Sequence, residues 1–209
     1  IPFFKHLQSA VKSCSQGGVR GGAATLYYPI WHLEVEDLLV LKNNKGTEDN
    51  RVRHMDYGVV LSAFFWRRFK NKEDITFFDP NEVPDLYEAF YKNTALFEEL
   101  YVKYEKQKSL RKKTMSAEEV FKSGILKERT DTGRIYLVFI DNVMKQGPFD
   151  PEYHTIYQSN LCCEILLPTK SFKRLDDAEG RIALCTLGSI NWGAFRNPED
   201  MRRACRILQ

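Results

Sequence analysis

The sequence predicts a single α/β domain, and three observations carry that expectation. Short apolar runs of strand length alternate with stretches in which apolar residues recur every three or four positions. Clusters of Gly, Pro, Asn and Asp punctuate the alternation, and no internal repeat or low-complexity segment divides the chain. Its 209 residues, 43% hydrophobic and 28% charged, suffice for one core burying roughly 70% of the unfolded surface.

Taken in order, Phe3, Phe4, Leu7, Ala10 and Val11 repeat at helical spacing, and the glycine-rich stretch from Gln16 to Gly22 then ends the helix as a mobile loop. Ala24 to Trp31 predicts a strand, Leu33 to Leu41 a helix, Asn43 to Gly46 a turn and Arg51 to Leu61 a second strand. Phe64 to Phe69 is helical, Ile75 to Phe78 a strand closed by Asp79-Pro80, and Pro84 to Tyr91 helical again. Thr94 opens an amphipathic helix whose Phe97, Leu100, Tyr101 and Tyr104 share one face. Ser116 and Glu119 form a capping box before Val120, Phe121, Ile125 and Leu126, and Gly133 stops that helix. Arg134 to Ile140 predicts a buried strand, as does Ile182 to Leu187. Asn197 and Pro198 start a final helix on which Met201, Ala204, Cys205 and Leu208 form a core face.

Composition narrows the function classes. A formal net charge of +3, with both signs mixed throughout, makes no electrostatic commitment to nucleic acid or membrane. The basic run from Lys103 to Lys113 is expected to be a solvated helix end. No apolar stretch approaches the roughly 18 residues of a membrane span, and Ile1 to Lys5 has no leader pattern, so a cytoplasmic protein is expected. The cysteines, Cys14, Cys162, Cys163, Cys185 and Cys205, lack CxxC spacing and nearby histidines, which argues against structural zinc and a secreted disulfide framework. His32 and His54 are expected to be structural, with no metal site. The glycine stretch lacks the ending of a P-loop, so nucleoside triphosphate hydrolysis is not indicated. Ile1 in place of Met, and a last helix without a stop signal at Gln209, suggest part of something longer.

The chemistry concentrates in Gln158 to Ile165. Read as extended backbone, it puts Asn160, Cys162 and Glu164 on one face, with Leu161, Cys163 and Ile165 anchoring the other. An amide, a thiol and a carboxylate side by side make a plausible reaction centre. A second thiol, Cys185, lies inside the apolar run Ile182 to Leu187.

The pair SNLCxEI and IALCTL, preceded in order by SCSQGGVRGGAAT, PIWHLE and NRVRHMDYGV, resembles the large catalytic subunit of class I ribonucleotide reductase, bacterial and phage type. The resemblance runs essentially end to end, and implies a portion of that family's α/β barrel, residues 1–209 forming one partial catalytic barrel domain with its cysteine on an inner loop. It implies that Cys162 becomes a thiyl radical in a dry, confined site and takes the hydrogen from the ribose 3′ carbon. Glu164 would be the base on the 3′ hydroxyl, its pKa tuned by partial burial, Asn160 would position the substrate, and Cys185 would be half of the redox pair. Gln16 and Arg20 would report the bound effector to the substrate base. No cofactor is implied within the chain. The radical would come from a dimetal-containing small subunit and reducing equivalents from a dithiol of the thioredoxin or glutaredoxin type, while nucleotide effectors would bind mostly outside this region. The partners implied are the ribonucleotide, the small subunit and the remaining large-subunit segments. Cys163 departs from the family's usual Leu or Thr, and a non-catalytic fragment binding nucleotide or reductase subunits is the rival reading.

Overall fold

The computed structural model describes residues 1–183 and 187–209. Helix α1 (Pro2–Ser13) places Pro2 in its first turn, where a missing N–H is no loss. The glycine stretch after it is a hairpin, in which β1 (Ser15–Gln16) pairs antiparallel with β2 (Arg20–Gly21). Gly17 and Gly18 make the turn at φ of +62° and +73°, a region in which side chains other than glycine are strained.

Strand β3 (Thr25–Pro29) is followed by helix α2 (Val35–Leu39) and by β4 (Asp56–Leu61). β3 and β4 pair in parallel, with Tyr27 opposite Gly58 and Thr25 opposite Asp56. The strand expected from Arg51 starts only at Asp56, because Val52 turns inward and donates its N–H to the Leu41 carbonyl at 2.9 Å. Tyr57 to Leu61 are all buried, as the near-continuous apolar run of a central parallel strand requires. His32 lies just beyond β3. Its Nδ1 accepts the Glu34 N–H at 3.1 Å, and burial holds its pKa below the usual imidazole value.

Ser62 caps α3 (Ala63–Asn71) by accepting the Phe65 N–H on its hydroxyl. Next come β5 (Asp74–Phe78), α4 (Pro84–Lys92) and α5 (Thr94–Lys106), the last capped by Asn93, whose side chain accepts the Leu96 N–H at 3.0 Å. The supposedly solvated basic run then turns back as β6 (Lys112–Ser116), antiparallel to β5. Its charges have structural partners: Lys112 Nζ donates to the carbonyls of Tyr104, Glu105 and Gln107 at the end of α5, Arg111 pairs with Asp79, and Lys113 with Glu36. Lys112 thereby places its positive charge among the last carbonyls of the helix, where a cation is favoured.

Ser116 makes no side-chain cap, so the expected capping box does not form. The helix that follows runs as α6 (Ala117–Glu119), a π-helical stretch (Val120–Leu126) and α7 (Lys127–Thr132), ending at Gly133 with φ of +66°. β7 (Tyr136–Phe139) joins β4 in parallel and completes the sheet order β3-β4-β7. It is half-buried rather than fully buried, and at Ile140, where the sequence predicts the end of a strand, the chain passes into α8 (Ile140–Gln146). These strands form part of a parallel sheet, with no closed barrel among the described residues.

From α8 to residue 183 the only ladder is an isolated bridge between Lys170 and Arg181. Helix α9 (Pro198–Leu208) has the expected cap, the Asn197 side chain accepting the Asp200 N–H at 3.0 Å. Its apolar face is not core. Met201 and Ala204 are half-buried, but Cys205 is exposed and Ile207 and Leu208 retain 76% and 51% exposure, the segment around Ile190 and Phe195 covering the face only in part. Among the described residues no helix is long and apolar enough to cross a membrane.

Candidate functional site

The candidate site is assembled on β3. Thr25 and Tyr27, two apart on a strand, point to the same side. The Tyr27 ring lies over Gly58 of β4, where a built Cβ would stand 2.4 Å from ring carbons Cδ1 and Cε1. Glycine therefore makes the space that this ring occupies. From there the Tyr27 hydroxyl donates to the Asn160 carbonyl and the Thr25 hydroxyl to the Leu161 carbonyl, each at 2.7 Å. Ser159, buried beside them, donates its hydroxyl to the Ile165 carbonyl at 2.7 Å.

Held in this way, Asn160 to Ile165 form a tight turn instead of the expected extended strand. The Asn160 side-chain oxygen accepts the N–H groups of Glu164 and Ile165, both at 3.0 Å, and its carbonyl accepts the Cys163 N–H at 3.2 Å. An asparagine whose own side chain satisfies following amides competes with a strand ladder, and here it prevails. Cys163 takes the left-handed conformation, φ +67°, that closes the turn. Asn160, Cys162 and Glu164 thus sit on one closed turn rather than on one face of a strand.

The individual placements refine the expected roles. Asn160 is half-buried, and with its oxygen already engaged its NH₂ group is the part that remains to donate to a ligand. Cys162 and Glu164 are exposed, so the dry surroundings and partial burial expected of them are not provided by the described residues. Cys163 is half-buried against the core. Glu164 and Cys163 border a cavity of about 630 Å³ with Phe149 and Ile156, while Asn160 borders another of about 390 Å³ with Lys170 and Arg181. Burial, reinforced by the neighbouring Cys163 thiol, holds the Tyr27 hydroxyl well above the ordinary phenol range, so it is a neutral donor at any physiological pH. At the foot of the strand pair Asp56 is held by Lys42 at 2.5 Å and Arg134 at 3.7 Å.

Cys185 lies outside the described residues, and the described ends of the expected buried strand, Ile182 and Leu187, are in no strand and are 70% and 82% exposed. Gln16 and Arg20 are paired backbone positions of the β1–β2 hairpin, a pairing that spacing alone did not show. Thr25, Tyr27, Gly58 and Ser159 were missed. The available signal was the pair of hydroxyls at alternate positions of a strand otherwise rich in apolar side chains.

Gly58→Ala is expected to destabilise the chain by about 1–3 kcal/mol, because the added methyl forces the Tyr27 ring off the sheet. Chemical denaturation measures this, and a change below about 0.5 kcal/mol would show that the ring yields freely.

The model of the ribonucleotide reductase barrel domain matches residues 1–209. The chain belongs to that family. Within it, the ribonucleoside-diphosphate reductase alpha subunit of Haemophilus influenzae is 58% identical over 197 residues, covering 94% of this chain and 26% of the relative. The alpha subunit of ribonucleoside-diphosphate reductase 1 of Escherichia coli is 59% identical over 170 residues, 81% of this chain and 22% of the relative. The alpha subunit of Enterobacteria phage T4 is 54% identical over 191 residues, 91% and 25% respectively. The chain spans about a quarter of the length of these ribonucleotide reductase relatives.

Proposed function

We propose that residues 1–209 are one partial catalytic barrel domain of a ribonucleoside-diphosphate reductase large subunit, an oxidoreductase that converts ribonucleoside diphosphates to 2′-deoxyribonucleoside diphosphates in the cytoplasm. The observation that supports this reading is the Asn160-closed turn on which Asn160, Cys162 and Glu164 lie, in a chain of this family.

In this reading the Cys162 thiyl forms an S–H bond as the ribose C3′–H bond breaks, and Glu164 accepts the proton of the 3′ hydroxyl. The Asn160 NH₂ donates to a substrate hydroxyl. As the 2′ hydroxyl leaves as water, Cys185 and a second thiol give up two electrons and two protons and become a disulfide, which an external dithiol of the thioredoxin or glutaredoxin type reduces again. The Cys162 S–H then returns its hydrogen to C3′. Gln16 and Arg20, opposite one another on the hairpin, read the substrate base in response to effector. Radical generation belongs to a dimetal-containing small subunit. Among the described residues no group of three or more His, Cys, Asp or Glu side chains is placed to hold a metal ion.

The test is deoxycytidine diphosphate formation from CDP when the chain is combined with the remaining large-subunit segments, a small subunit and dithiol. Product that requires the chain is expected. Demonstrated assembly without product would favour the non-catalytic binding reading.

A further inference from the structure

We infer that Tyr27 and Thr25 are positioning residues for the Cys162 turn: β3 grips the turn by its backbone and sets where the thiol stands. The inference rests on the reductase reading for its catalytic consequence, but its geometry is independent of it.

Cys162 and Glu164 are exposed, so side-chain packing does little to fix them. What fixes them is hydrogen bonding of the backbone. The Asn160 carbonyl accepts two donors, the Tyr27 hydroxyl at 2.7 Å and the Cys163 N–H at 3.2 Å, while the adjacent Leu161 carbonyl accepts the Thr25 hydroxyl at 2.7 Å. Two consecutive carbonyls immediately before Cys162 are therefore tied to one face of one strand. That strand is paired along its length to the buried β4, and Gly58 allows the Tyr27 ring to lie flat enough to reach. Both hydroxyls donate to backbone carbonyls and not to the Cys162 or Glu164 side chains, so both act through the backbone. Reactions that depend on a near-attack geometry lose rate when the reacting atom is displaced by as little as about 1 Å.

Tyr27→Phe keeps the ring and removes only the donor, and Thr25→Val removes the other donor at nearly constant volume. Hydrogen exchange on the chain is expected to speed up by roughly three- to tenfold at the amides of Cys163, Glu164 and Ile165 in either variant, the loss of one hydrogen bond. In the complemented enzyme each variant is expected to lower kcat by a similar factor with KM for CDP unchanged, and the two substitutions together by more than either alone. A merely structural role would shift the denaturation midpoint without this split between kcat and KM. Unchanged exchange in both variants overturns the inference, and so does faster exchange with unaltered kcat. If the complemented native chain makes no product, the reductase reading fails, and exchange still decides whether β3 holds the turn.

Discussion

Cys162→Ser is expected to abolish deoxyribonucleotide formation in the complemented assembly while leaving the fold untouched. Serine matches cysteine in shape, and Cys162 is exposed, so the unfolding free energy should change by less than about 0.5 kcal/mol. A hydroxyl cannot replace the thiol in the proposed chemistry, because an alkoxyl radical on serine is far harder to generate than a thiyl. Product should fall to background. Cys163→Ser is the informative partner. Cys163 packs against the core in the left-handed turn position, and the Tyr27 hydroxyl is near its thiol, so this change should affect stability modestly and leave most activity. Activity lost with Cys163→Ser but kept with Cys162→Ser would move the radical thiol by one position and dismantle the assignment of Glu164 and Asn160 along with it.

Periodicity and caps made most of the helices and the parallel strands legible. Phe97 and Tyr101 are buried on the face of α5 that their spacing indicated, and Asn197 caps α9 as its sequence context required. Failures occurred where a tertiary partner, not local pattern, decides. β6 was concealed by lysines because its stability comes from pairing with β5, with Lys112 and Lys113 each finding a structural partner. The face of α9 containing Cys205 has the periodicity of a core helix, but periodicity states only that a face is apolar, not that something covers it. In the Asn160 turn, alternating apolar residues imitated a strand, and the deciding interaction was a side-chain oxygen satisfying two amides further along. The residue types of the site were legible from the sequence. Their support from Thr25, Tyr27 and Gly58 was not, since it joins segments more than a hundred positions apart.

Trp31→Ala is expected to give the largest loss of stability, about 3–5 kcal/mol. Trp31 is 1% exposed just beyond β3 and lies against Phe90, Phe97 and Tyr87, with ring centroids 5.8, 6.2 and 6.3 Å away. It joins the sheet to the α4–α5 pair, and its carbonyl accepts the Phe78 N–H at 2.9 Å, which links β3 to β5. Truncation leaves a void that these rigid rings cannot fill by a rotamer change. The indole N–H has no hydrogen-bond partner among the described residues, so the loss is one of packing rather than polar contact. Trp31→Phe should therefore retain most of the stability, losing some volume but also removing a buried unpaired donor. At roughly 2–4 °C per kcal/mol for a chain of this size, thermal melting should separate the variants by about 10 °C. Equal losses for Ala and Phe would mean that the N–H, not the ring, is what the site requires. A loss below about 1.5 kcal/mol for Ala would mean that α4 and α5 close over the gap, and that the sheet carrying Tyr27 does not depend on them for its rigidity.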